Sequence, residues 1–261
     1  MKLNSTAKGA LALIGCAFLI TPAALRAGEA AETMSVAVEP EMSSLIDPIS
    51  GAVTIGYDSS YIFRGSNFGN NAPWLALDLS VPLGENLTLD GGIWYVNPAT
   101  GTDFNPDKGL NDELDYYVSL ATTVGAVDIA LGYHAYTFPE AGLRGSAENE
   151  VGLNLSTAIA MFDVDFGYYY NFNAPVKNYY QLGLSNSYDL SDRVALYLGV
   201  AVGFYESEYN ATLVTLAMPV VISESTVLEA YVAGSFAGNA NIYGLENDDE
   251  IFGGVSLSVA F

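Results

Sequence analysis

Cysteine is almost absent from this chain: Cys16 is the only one in 261 residues. A disulfide scaffold is therefore excluded. Positive charge is nearly as scarce, with eight Lys and Arg against thirty Asp and Glu and a single His. Nucleic-acid binding, which needs a basic footprint for phosphate, is excluded on that count. Long hydrophobic runs are missing after the first thirty residues, so no segment there reaches the roughly 20 apolar residues of a spanning helix. What remains is 51% apolar and only 15% charged, a balance that fits lipid contact spread over many short strands.

The amino terminus has the three parts of a secretory leader: Lys2 and Lys8, an apolar run over residues 9–23, and small residues around Ala27 and Ala30. Cleavage after Ala27 is expected, giving a leader over 1–27, a tail over 28–50 and one domain over 51–261. A transmembrane anchor is the competing reading, but the run is short and broken by Thr21 and Pro22. Leu13-Ile-Gly-Cys16 also has the form of a lipoprotein box, although few apolar residues precede it and apolar sequence continues after it. Loss of Lys2, Lys8 and Arg26 with an acid-free leader takes the formal charge from −22 to about −25. The tail carries Glu29, Glu32, Glu39, Glu41 and Asp47 without a regular period, which predicts a periplasmic extension.

From Gly51 onward apolar residues recur at every second position. The closing stretch shows it most plainly: Ile251, Val255, Leu257, Val259 and Phe261 fall on one face, with Phe252, Gly254, Ser256 and Ser258 on the other. Twelve such segments are predicted, at 53–64, 75–81, 87–95, 114–121, 127–134, 151–155, 164–171, 180–184, 194–205, 212–218, 227–236 and 250–261. Each has about the ten residues that a tilted strand needs to cross a hydrocarbon layer, although the sixth and eighth show only a core of them. The tenth is expected to stop at Pro219, which cannot donate to a ladder. The predicted fold is all-β: a transmembrane antiparallel up-and-down barrel of about 12 strands.

Connections near 84–86, 125–126, 158–163, 189–193 and 221–225 are short, whereas 65–71, 97–112, 139–149, 173–178, 206–210 and 237–249 are longer. Outer-membrane barrels keep short turns in the periplasm and long loops outside. Apolar-face aromatics gather near strand ends, with Tyr61, Phe63, Tyr95, Tyr116, Tyr170, Phe172, Tyr180 and Phe204 toward the long loops, and Phe162, Tyr188 and Phe261 toward the short turns. Such belts suit a membrane interface. A soluble barrel or sandwich shares the alternation, but its solvated face would carry Lys, which the polar face here nearly lacks. Twelve strands are also expected to enclose a lumen wider than apolar side chains can fill.

The polar face holds the chemistry. Asp58, Asp78, Asp90, Asp115, Asp128, Asp163, Asp165 and Glu229 fall there, and Arg64 is the only base among them. All but Asp58 and Asp115 lie near short turns, so the lumen should be most negative at its periplasmic mouth. Acidic rings concentrate cations and repel anions, which predicts a cation-preferring pore; the same acids could instead cap turns. Arg64 and Asp58 could together set a gate or form an ordinary lumenal ion pair. Trp94, Tyr117, Tyr136, Tyr169, Tyr197 and Tyr231 also point inward, either as a stacking track for sugars or as rings that narrow the pore and pack against facing glycines. Lys108, Arg144 and Lys177 are in predicted loops and Arg193 in a short turn, where lipid phosphate or lipopolysaccharide could meet them directly or through cations shared with Asp103 and Asp107. Asp248-Asp249-Glu250 lacks the spaced ligands of a calcium loop, so no metal or cofactor is expected.

Ser60-Tyr61-Ile62-Phe63-Arg64-Gly65, together with the leader, the length and the terminal Phe261, resembles the TorF family of outer-membrane porins. The resemblance spans 51–261 and implies a small single-chain barrel admitting small hydrophilic solutes, with no catalytic residues. Two other classes stay open: a closed barrel acting as adhesin or scaffold, in which Trp74 and Tyr169 occlude the lumen, and a lipid hydrolase. Hydrolysis needs a serine activated by histidine, and the lone His134 is predicted to face inward and is followed by Ala135-Tyr136.

Overall fold

The computed structural model describes residues 49–101, 112–139, 147–239 and 248–261. The leader, the tail through residue 48, and Asp103, Asp107, Lys108 and Arg144 lie outside these residues. Every regular element described is a strand: β1 (Ser50–Phe63), β2 (Ser66–Pro82), β3 (Leu87–Val96), β4 (Glu113–Val124), β5 (Val127–Thr137), β6 (Glu148–Ile159), β7 (Phe162–Asn171), β8 (Asn178–Ser191), β9 (Val194–Tyr205), β10 (Glu208–Ser223), β11 (Thr226–Ala237) and β12 (Glu250–Ala260). Each pairs antiparallel with its sequence neighbours, and β1 closes on β12. The result is an up-and-down barrel with no free sheet edge.

Alternation sorts the side chains as the period-2 pattern requires. Val53, Ile55 and Tyr57 are exposed on β1 while Ala52, Thr54 and Asp58 are buried; Leu120 and Val200 are likewise exposed on β4 and β9. A closed barrel whose large apolar residues face outward and whose polar residues face inward is a membrane barrel, because water would leave that outer band unsolvated. The carboxyl end is part of the closure: the Phe261 N–H donates to the Gly51 carbonyl and the Gly51 N–H to that of Phe261, at 2.9 and 3.0 Å.

Four local expectations are corrected. The connections at 65–71 and 206–210 are not loops. β1 and β2 join through Arg64-Gly65 alone, with φ of 48° and 81°, and β9 and β10 join through residues 206–207, with Glu206 at φ 52°. Positive φ at both Arg64 and Gly65 matches the right-handed twist of the flanking strands, which is why so short a turn suffices there. β10 does not stop at Pro219. It continues to Ser223 because pairing with β9 lapses at Met218 and Pro219, where the missing N–H would have been needed, while Pro219 still faces Glu229 on β11.

Tyr61 and Phe63 do not belong to the outer aromatic belt; both are buried inside. β1 pairs with β12 only from Ala52 to Asp58, whereas its pairing with β2 continues to Phe63↔Ser66 with a register shift after Tyr61 that leaves Phe68 as an extra residue on β2. Beyond Asp58 the hairpin is thus released from one wall neighbour, and its side-chain phase turns inward. Finally, the lumen is not too wide to fill. One buried cluster joins Tyr61, Ile62 and Phe63 to Trp74, Trp94, Tyr136, Ala217, Tyr231 and Phe252, so rings and the tip of the first hairpin together bridge the barrel at its long-loop half.

Candidate functional site

The site is built around Arg64 at the tip of that hairpin. Its guanidinium crosses the lumen to Glu150 on the far wall, and both terminal nitrogens donate, Nη1 to Oε2 and Nη2 to Oε1, each at 2.7 Å. This fork-on-fork pairing is the strong form of an Arg–carboxylate contact. The cation also lies 4.8 Å from the Phe63 ring centroid, 4.8 Å from that of Tyr169 and 4.3 Å from that of Tyr179. Glu150 and Arg64 are both buried.

The wall is arranged to receive the tip. Glu150, Tyr169 and Tyr179 stand on the neighbouring strands β6, β7 and β8, at lumenal positions fixed by the pairs Gly152↔Tyr169 and Tyr169↔Tyr179. The Tyr136 hydroxyl donates to Glu150 Oε1 at 3.2 Å and that of Tyr169 to Asn154 Oδ1 at 2.6 Å. Tyr179 lies over Gly203, where a Cβ would stand 2.3 Å from the phenol oxygen, so only glycine leaves room for the ring. On the other side of the tip, the register shift between Tyr209 and Ala211 sets Asn210 out of the β9 ladder, and its amide donates to the Arg64 carbonyl at 2.5 Å. Asn67 donates to Glu250 Oε1 at 3.0 Å, and Tyr61 to Glu113 Oε2 at 3.0 Å. The tip is therefore held by β4, β6, β10 and β12 at once.

Arg64 does not pair with Asp58, as one sequence expectation had it. Asp58 accepts from the Tyr231 hydroxyl at 2.6 Å instead. The other lumenal positions are occupied as follows. Asp78 accepts from the Tyr117 hydroxyl, Asp90 from Ser80 Oγ at 2.7 Å and Asp128 from Thr123 Oγ1 at 2.6 Å. Asp115 and Glu229 are buried, Asp165 is half-buried and faces Gly183, and Asp163 is exposed at the short-turn rim opposite Ser185. Trp94 packs on Tyr61 with ring centroids 5.4 Å apart. His134 is stacked between Tyr117 and Tyr136 at 5.3 and 5.6 Å. Several inward rings lie on glycines, among them Tyr117 over Gly92 and Tyr197 over Gly199. Asp249 Oδ1 accepts from the Ala237 N–H at 2.9 Å, and Glu250 is the partner of Asn67.

Sequence reasoning missed Glu150, Glu113, Tyr179 and Asn210. The two glutamates share parity with Gly152 and Asp115, so counting inward by twos from the recognised strands would have found them. Asn210 had no such signal, because it is buried through a bulge.

Electrostatically the lumen is one-sided. Asp78, Asp90, Asp128, Asp163, Asp165 and Glu229 lie toward the short-turn end and Asp58, Glu113, Asp115, Glu148 and Glu150 toward the other, as the strand registers place them. Among the described residues Arg64 is the only base at a lumenal position, and Glu150 neutralises it. Lys177 sits outside, its Nζ 5.7 Å from the Tyr170 ring, and Arg193 lies in a short turn.

No family model matches the chain, and no curated protein matches it. Among solved structures it is similar to the COG4313 outer membrane channel from Pseudomonas putida F1, with a TM-score of 0.54 at 10% identity over 86% of this chain and 100% of that one. It is also similar to the NanC porin, with a TM-score of 0.51 at 12% identity over 80% of this chain and 98% of that one. The KdgM porin gives 0.51 at 9% identity, covering 80% and 99%. These likenesses agree with the strand topology on the fold: this is a twelve-stranded β-barrel of the bacterial outer-membrane type.

Proposed function

We propose that the protein is a porin-like outer-membrane channel that admits small hydrophilic solutes with a preference for cations, and that its first hairpin is a resident plug. The observation that carries the selectivity is the charge of the lumen: acids at both ends, and a single described base whose charge Glu150 already cancels. A cation entering the barrel meets a negative field focused by low-dielectric walls, and an anion meets repulsion. The Tyr-x-Phe-Arg-Gly element at 61–65 supports kinship with TorF-type porins, and in this reading its arginine is the latch of the plug. Lipid, including lipopolysaccharide, surrounds the apolar band, and the chemistry of transport needs no cofactor. A lipid hydrolase is disfavoured by His134, whose ring is clamped between tyrosines in the lumen, away from lipid.

The filled outer half of the lumen favours one second reading, a permanently closed barrel serving as adhesin or scaffold. Planar-bilayer recording separates the two. Under a KCl gradient the folded protein is expected to show channel events whose reversal potential corresponds to K⁺ permeating about threefold or more over Cl⁻. Anion preference would reject the acidic-lumen mechanism, and complete electrical silence of both the wild type and a variant lacking the latch would favour the scaffold.

A further inference from the structure

The geometry points to the Arg64 pocket as a binding site for free guanidinium-type organic cations, with Arg64 as its tethered occupant. As a choice of substrate class this rests on the channel reading, although binding itself can be measured without any current.

Occupant and pocket belong to separable parts of the molecule. Glu150, Tyr169 and Tyr179 are mounted on the continuous wall β6-β7-β8, and Tyr136 and Asn154 hold the carboxylate and one ring independently of Arg64. Arg64 belongs to a hairpin tip that lies beyond the end of the β1–β12 ladder, and it adopts a left-handed backbone conformation that is uncommon for a residue with a Cβ. Its Nε–H has no acceptor among the described residues. Withdrawal of the tip therefore leaves the wall groups where they stand, whereas the tip brings its unsatisfied donor to water.

The chemistry of the vacated pocket is specific. A carboxylate presenting both oxygens at 2.7 Å to two nitrogens of one planar group matches a guanidinium and not a point charge. Two phenol rings within 4.8 Å of the cation centre add faces on which such a plane can lie. K⁺ and ammonium groups fit the charge but not the fork, and anions meet Glu150. A solute bearing a guanidinium would compete with Arg64 for the same contacts, so substrate and plug are mutually exclusive occupants.

Calorimetric titration of the full-length Arg64→Ala protein in detergent with methylguanidinium tests this, with folding checked by heat-modifiable migration. Arg64→Gln, which keeps more of the side chain, is carried alongside so that misfolding of one variant does not end the test. Saturable binding is expected, about tenfold or more tighter than to wild type and than methylammonium binds to the same variant, and lost in Arg64→Ala/Glu150→Gln. In bilayers the same ligand should reduce the current that Arg64→Ala passes. Equal binding to the variant and wild type, or equal binding of methylguanidinium and methylammonium, would overturn the site. A variant that binds but never conducts would overturn the channel reading and leave the site standing; one that conducts but does not bind would do the reverse.

Discussion

Arg64→Ala is expected to raise the mean current through the barrel by about ten- to a hundredfold, measured in planar bilayers at fixed voltage and protein number. At 1.4 kcal/mol per tenfold this needs about 1.4–2.8 kcal/mol, less than the roughly 3–5 kcal/mol that breaking a buried ion pair costs. The loss falls on the closed state. With the tip out, water enters the outer lumen and hydrates Glu150, so its uncompensated charge penalises only the plugged arrangement. Tyr61, Ile62 and Phe63 oppose opening, since their burial against Trp94 and Tyr136 is lost. An unchanged current would mean that these apolar contacts hold the tip without the latch.

Glu150→Gln should open the channel by a similar factor for a different reason. It strands the guanidinium among three rings without a counter-charge and replaces one of the two acceptor oxygens with an amide that cannot accept. Because the two side chains act as one latch, the double variant Arg64→Ala/Glu150→Gln should be no more open than either single one. Open-state free energies from the four proteins should then give a coupling equal to one single effect, about 1.4–2.8 kcal/mol, within the range for residues in direct contact. The exchanged pair, Arg64→Glu with Glu150→Arg, should restore part of the closure. Additive effects in the cycle would show that the residues contribute separately and that the ion pair is not the latch.

Much of the barrel was legible in the chain itself, and the reason is local. Alternation along residues 127–134 or 250–261 needs no knowledge of partners, because every second side chain must face lipid. Short turns such as 125–126 announce themselves for the same reason. The plug was not legible. Tyr61 and Phe63 keep the parity of Val53, Ile55 and Tyr57, so the alternation assigns them to lipid; their inward turn arises from β12 ceasing to pair at Asp58, whose partner Gly254 is 196 positions away in the chain. Arg64 was singled out as the lone lumenal base, but its partner follows 86 residues later, beside a loop whose apolar pattern had already stopped. Glu150 was thus read as outside a strand that in fact begins at Glu148. Periodicity reports which face a residue takes, whereas closure across a lumen depends on which strands stand opposite, and no spacing encodes that.

The most direct test of the hairpin as the closing element is a reversible tether. A Cβ placed at Gly65 would stand 2.5 Å from the Ala211 Cβ, so a small outward relaxation brings a cysteine pair there to the Cβ separation of about 3.8 Å that a disulfide takes. Apart from Cys16 the chain has no other cysteine. In Arg64→Ala/Gly65→Cys/Ala211→Cys, large currents under reductant should collapse when the bridge forms and return when it is reduced again. Full current through protein whose bridge is demonstrated by gel mobility would contradict the claim that this hairpin closes the barrel.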